Sequence, residues 1–175
     1  KYCDYLKREE LAIRNAVPTA EGAIEIAISE TPITIHGSRC LVMGYGRIGK
    51  ILSKMLCGMG ANVSVEARKY ADLAMIEGHG CNALSLNELG HHIHEFDIIF
   101  NTIPSMILNK PLLEKVREDT LIIDLASRPG GVDFDAAADL GIRVIWALSL
   151  PGKVAPITSG AIIKDTIVNV LKENY

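Results

Sequence analysis

The sequence predicts an α/β fold, a doubly wound parallel sheet with a helix flanking it at each end. Two observations carry that prediction. From residue 39 onward, short apolar runs alternate with stretches of helical periodicity, the pattern of strands joined by crossover helices. The first of these runs, Cys40-Leu41-Val42-Met43, leads directly into Gly44-Tyr45-Gly46-Arg47-Ile48-Gly49. That glycine-spaced turn opens a helical pattern, as in the dinucleotide-binding form of the fold known as Rossmann.

Residues 7–30 hold two helix candidates divided at Val17-Pro18, with Thr19 placed to N-cap the second and Glu21 to suit its dipole. The first strand covers 39–43, a buried parallel strand by its apolar run. Ile48, Ile51, Leu52, Met55, Leu56 and Met59 share one face of a helix over 47–59, which Gly60 ends. A second strand follows at 62–66, then a short helix at 70–77 stopped by Gly78 and Gly80. A weak third strand covers 82–84, and a helix covers 86–93. The strand at 97–101 is strong and halts before Pro104. A short helix at 110–116 precedes the strand at 120–125, which Pro129-Gly130-Gly131 breaks. A helix at 134–140 and a last strand at 143–146 complete the alternation. The tail from Thr158 carries Ile163, Ile167, Val170 and Leu171 on one helical face. Neither flanking helix belongs to the alternating unit. The division is therefore 1–37 as linking helices toward a domain outside this sequence, 38–157 as the NAD(P)-binding domain, and 158–175 as a C-terminal helix.

With 175 residues and 49% hydrophobic content, the chain can bury a core as one domain. A net charge of −3 without a long basic run gives no support for nucleic acid or an acidic membrane as partner. No apolar stretch reaches membrane-spanning length and no signal peptide opens the sequence, so a cytoplasmic domain is expected. Cys3, Cys40, Cys57 and Cys81 form no CxxC pair, which suits a reducing compartment. Cys40 and Cys57 sit in apolar patterns as small hydrophobes. For Cys3 and Cys81 an inert thiol is favoured over a reactive one.

Each glycine of the 44–49 turn has a physical task. Gly44 permits the tight turn, Gly46 lets backbone approach a pyrophosphate, and Gly49 lets helix and strand pack closely. Tyr45, Arg47 and Ile48 complete the loop, and the helix N-terminus offers free N–H groups to phosphates. The end of the second strand selects the cofactor. It reads Val65-Glu66-Ala67-Arg68-Lys69. With Ala67 at the recognition position there is no acid for a ribose, and Arg68 and Lys69 face a 2′-phosphate. A strand ending one residue earlier brings Glu66 to the ribose instead. The reading favours NADP, with NAD open.

Ligands of doubly wound sheets lie at the carboxyl ends of the strands. Asn101, Thr102, Ile103 and Pro104 end one strand and place neutral groups toward a nicotinamide. Ser127 and Arg128 end the next and suit a substrate carboxylate. Lys153 follows the last strand, as a carboxylate anchor or, where burial lowers its pKa, a general acid–base group. His91 and His94 would share a helix face, but no cysteine or acid completes a metal set, and exposed polar positions account for them. Asp133 and Asp135 suit the start of the next helix and Asp139 its exposed face. Nothing resembles a serine triad.

Asn15-Ala16-Val17-Pro18-Thr19-Ala20-Glu21-Gly22-Ala23, the glycine turn, Asp124-Leu125-Ala126-Ser127-Arg128-Pro129-Gly130-Gly131 and Leu148-Ser149-Leu150-Pro151-Gly152-Lys153-Val154-Ala155-Pro156 occur in that order. Together they resemble the dipicolinate synthase A-subunit family of spore-forming bacteria, with a broader likeness to 2-hydroxyacid, alanine and shikimate dehydrogenases. The resemblance implies NAD(P)-dependent oxidation of dihydrodipicolinate, or its hydrated precursor, to dipicolinate, on a branch of the lysine pathway used in sporulation. It further implies a partner, the flavoprotein-like B subunit, together with a small dicarboxylate substrate, an additional N-terminal domain, and the mother-cell cytoplasm. Arg128 and Lys153 then serve as cationic anchors beside Ser127, with Lys153 also the candidate base. A homo-oligomer is compatible with exposed flanking helices. The competing readings are a non-catalytic nucleotide-sensing module and another small-acid dehydrogenase; Ser127, Arg128 and Lys153 favour an enzyme over a sensor.

Overall fold

The computed structural model describes residues 4–174, so Cys3 lies outside the described residues. After α1 (Glu9–Glu30) the chain alternates through β1 (Arg39–Met43), α2 (Arg47–Gly58), β2 (Asn62–Ala67), α3 (Tyr70–Gly78), β3 (Asn82–Ser85) and α4 (Leu86–His92). It continues through β4 (Ile98–Asn101), α5 (Lys110–Leu113), β5 (Leu121–Asp124), α6 (Phe134–Asp139) and β6 (Arg143–Trp146), then α7 (Leu150–Val154) and α8 (Pro156–Asn174). Six parallel strands form one sheet in the order β3-β2-β1-β4-β5-β6. The doubly wound Rossmann architecture is thus present, with helices on both faces.

Strand burial explains the apolar runs. β4 and β5 are buried at every position, because each is covered above and below. One cluster packs α1, α2 and α3 on the sheet through Ala20, Ala23, Ala27, Leu52, Leu56 and Ile76. The other face is closed by Leu89, Ile93, Leu113, Ala136 and Ala137 from the opposite layer. Each fully buried leucine or isoleucine contributes about 1.5–3 kcal/mol relative to exposure.

Two expectations are corrected at the ends of the chain. Residues 9–30 form one helix with Pro18 inside it, not two helices. The Thr19 hydroxyl donates to the Asn15 carbonyl at 2.7 Å, a mid-helix contact rather than a cap. Ala16, Ala20, Ala23 and Ala27 are almost fully buried along one side, and this packing outweighs the backbone hydrogen bond that Pro18 removes. The C-terminal helix starts at Pro156 and buries Ser159, Ile162 and Thr166, while Ile167 and Leu171 remain exposed. Ser159 and Thr166 can be buried because their hydroxyls donate to the Pro151 and Ile162 carbonyls. Among the described residues no helix is long and apolar enough to cross a membrane.

The sheet has its switch point between β1 and β4, where the connections diverge to opposite sides. In register across the carboxyl edge stand Glu66, Met43, Asn101, Asp124 and Trp146. The candidate site lies on that edge.

Candidate functional site

The glycine turn is built by contacts that exclude side chains. Gly44 has φ +91°, and a Cβ there would lie 2.7 Å from Thr102 Oγ1 and 2.8 Å from Ile103 Cγ1. A Cβ on Gly49 would lie 2.0 Å from the Gly44 carbonyl oxygen, so strand and helix meet there backbone to backbone. Gly46 differs: a Cβ would meet nothing within 4 Å. It is also the N-cap of α2, and no side chain caps that helix. Open space above Gly46 and uncapped N–H groups at the start of a 12-residue helix fit the pyrophosphate of a dinucleotide.

Between the glycines, Tyr45 is turned inward. Its hydroxyl sits 2.7 Å from His79 Nδ1 beyond α3, and Lys50 Nζ lies 5.2 Å from its ring centre. Burial pushes the Tyr45 phenol up from its usual pKa. Arg47 pairs with Glu9 at 3.1 Å, which ties the loop to α1. Ile48 is half-buried against the core.

At the end of β2, Ala67 is buried and belongs to the strand, so the strand does not end one residue early. Glu66 is 1% exposed, and its Oε1 has no hydrogen-bond partner. Burial pushes its carboxyl above the usual range, against the opposing pull of the Gly44 N–H and the Arg68 charge. Arg68 and Lys69 are exposed directly after the strand.

At the end of β4, the Thr102 hydroxyl donates to the Met43 carbonyl at 2.8 Å, clamping this segment over the glycine turn. Ile103 is half-buried and Pro104 exposed. Asn101 is fully buried. Its Nδ2 donates to Asp124 Oδ1 at 2.8 Å and to the Ile103 carbonyl, and its Oδ1 accepts from the Ile103 N–H. The side chain expected to face a nicotinamide is thus engaged within the protein, holding 101–103 in shape.

Asp124 organises the neighbouring loop. Fully buried at the end of β5, its carboxylate accepts from Asn101, from the Ala126 N–H at 3.0 Å and from the Gly131 N–H at 2.9 Å. That clasp presents Ser127 and Arg128 to solvent. Trp146 supports it from β6: Nε1 donates to the Ala126 carbonyl at 3.0 Å, and the Arg128 guanidinium lies 5.8 Å from the ring centre. Phe134 backs the indole with ring centres 5.1 Å apart. Sequence reasoning missed Asp124, Trp146 and His79. The one legible signal was an aspartate ending an apolar strand just before Pro129-Gly130-Gly131.

Lys153 is exposed on α7, a short helix that rests on α1. A Cβ added at Gly22 of α1 would lie 3.1 Å from Val154, so α7 sits close against the longer helix. The histidines do not share a helix: α4 ends at His92, and His94 lies in a separate 3-10 turn. His92 pairs with Glu95 at 2.8 Å, and the described residues contain no group of three metal-ligating side chains. Asp133 caps α6 by accepting from the Ala136 N–H at 3.0 Å.

An uncapped glycine turn at the switch point of a parallel sheet defines a dehydrogenase-type NAD(P)-binding domain. Residues 25–145 match the family model for shikimate / quinate 5-dehydrogenase, and the chain belongs to that family. Within it the likeness is to the A subunit of dipicolinate synthase. The chain is 45% identical to that protein from Bacillus subtilis (strain 168) over 173 residues, 99% of this chain and 58% of the relative. The crystal structure of the Bacillus subtilis protein superposes with a TM-score of 0.94 at 46% identity, covering 95% of this chain and 56% of that one. The corresponding protein from Bacillus halodurans gives a TM-score of 0.93 at 38% identity, over 95% and 57%. The chain therefore spans less than two thirds of the length of these relatives.

Proposed function

We propose that this chain is the cofactor-binding part of the nicotinamide-dependent A subunit of a dipicolinate synthase. The activity is that of an NAD(P)-dependent oxidoreductase converting dihydrodipicolinate, or its hydrated precursor, to dipicolinate. The observation that carries the reading is the carboxyl edge of the sheet, where the open turn at Gly46 and the Asp124-clasped loop of Ser127 and Arg128 end nearby strands. When bound, the nicotinamide supplies the hydride acceptor. The residues of the chain supply position and charge. Gly44, Tyr45, Gly46, Arg47, Ile48 and Gly49 hold the pyrophosphate. Thr102, Ile103 and Pro104, shaped by Asn101, border the nicotinamide. Arg128 and Lys153 anchor the two carboxylates, and Ser127 adds a hydrogen bond beside them.

NADP is the favoured cofactor. Ala67 is buried with no carboxylate at its position, Glu66 is enclosed, and Arg68 and Lys69 are exposed. Partnership with a B subunit, the mother-cell cytoplasm and the sporulation branch of lysine biosynthesis belong to the same reading. The test is turnover of dihydrodipicolinate by full-length A and B subunits, followed by cofactor reduction. Turnover that Lys153→Ala and Arg128→Ala each lower at least tenfold supports the reading; no cofactor reduction with either nucleotide overturns it. Arg68→Ala should weaken NADP(H) about tenfold while leaving NAD(H) within twofold. Equal losses for both would reject the assigned strand register.

A further inference from the structure

Away from the carboxyl edge, two thiols face one another. Cys57, near the end of α2, and Cys81, just before β3, have their sulfurs 3.0 Å apart, and both residues are half-buried. They are free cysteines. Their side chains already point together, which is the geometric condition a disulfide requires, and closure to the bonded separation of about 2.05 Å needs a movement of roughly 1 Å. Both also line a cavity of about 730 Å³ shared with Lys50, Ser53, Lys54 and His79. An incoming reagent has access there.

We propose that Cys57 and Cys81 form a reversible dithiol–disulfide site that reacts with small organic disulfides entering this cavity. In this sequence Cys57 attacks first and Cys81, whose thiol burial pushes up to about 12, follows as the resolving thiol. The Cys57 thiolate attacks one sulfur of the reagent RSSR; a protein S–SR bond forms, the S–S bond of the reagent breaks, and RS⁻ leaves to take up the proton. Cys81 then loses its proton and attacks Cys57 Sγ, forming the intrachain bond and releasing the second RSH. Two protein thiols are oxidised by two electrons, and one RSSR is reduced to two RSH.

The site has a mechanical connection. Cys81 is two residues from His79, whose Nδ1 holds the Tyr45 hydroxyl in the glycine turn. Closing the bond fixes the 79–81 segment to α2 and so to the loop that α2 begins.

The experiment uses the intact chain, equilibrated with hydroxyethyl disulfide, quenched with N-ethylmaleimide and read by peptide mass spectrometry. The expected result is a peptide pair joined through Cys57 and Cys81, with both sites losing maleimide together and recovering after dithiothreitol. Cys81→Ser should instead retain a stable mercaptoethanol adduct on Cys57. The proposal is overturned if both thiols of the wild type stay fully alkylatable, if Cys40 supplies the partner sulfur, or if wild type holds the adduct as stably as Cys81→Ser.

Discussion

Gly46 and Gly49 make opposite demands on one turn. At Gly49 a methyl group collides with the Gly44 carbonyl oxygen, so Gly49→Ala should lower the unfolding temperature and reduce affinity for a nicotinamide dinucleotide more than tenfold. At Gly46 there is open space, so Gly46→Ala should leave the unfolding temperature within about 2 °C yet still weaken binding about tenfold, since the methyl occupies the room left for phosphate. Thermal melts with and without cofactor separate these outcomes. Asp124 is a third case. Asp124→Ala leaves donors of Asn101, Ala126 and Gly131 without their acceptor in a buried place, which should cost about 3–5 kcal/mol in urea unfolding. The glycines were legible because their spacing is a local property. The acceptor role of Asp124 was not, because its donors come from β4 and from a loop seven residues onward.

At the scale of elements, strands were the most legible feature and helix interruptions the least. β4 and β5 declare themselves as apolar runs because both faces are covered. Pro18 misled for a related reason: local preference argues for a break, while a buried alanine stripe carries the helix through it. The same helix governs α7. Gly22 gives Val154 and Leu150 room at 3.1–3.2 Å, so a larger residue there must push α7 away. Gly22→Val should therefore destabilise the fold by about 1–3 kcal/mol through overpacking. On the proposed function, in which Lys153 anchors a carboxylate, it should also raise the KM of the full-length protein for dihydrodipicolinate, with cofactor affinity unchanged. Denaturant titration and steady-state kinetics read the two effects separately.

For the whole molecule, titration and ligation both act on the folding equilibrium. Burial raises the Glu66 carboxyl above its ordinary value of 4.5, so the native state binds that proton more tightly than the unfolded chain. Its contribution is complete below about 4.5 and is lost as pH rises through the elevated native value. Glu66→Gln should accordingly match wild type at pH 4.5 and exceed it in stability at pH 8, as measured by urea unfolding. Asp97 works in the opposite sense. Burial alone would raise it, but the Arg39 N–H and the guanidinium groups of Arg117 and Arg39 outweigh that and hold it below 3.8. Its contribution is present above about 3.8 and disappears as pH falls through the native value. Cofactor binding stabilises the same native state. A nicotinamide dinucleotide at a hundred times its dissociation constant should add about 2.7 kcal/mol, a rise of roughly 5–10 °C in unfolding temperature for a domain of this size.

The sequence alone determined the sheet, its parallel sense and the dinucleotide turn, because periodicity and glycine spacing are written between neighbours along the chain. It also carried the family likeness, through segments that remain contiguous. Only the tertiary structure decided that α1 runs unbroken, that Asn101 is spent on Asp124, that Trp146 underlies Arg128, and that Cys57 meets Cys81. Each of these depends on groups brought together across the sheet or between helices, where burial sets the cost of an unmade contact and no local pattern records the partner.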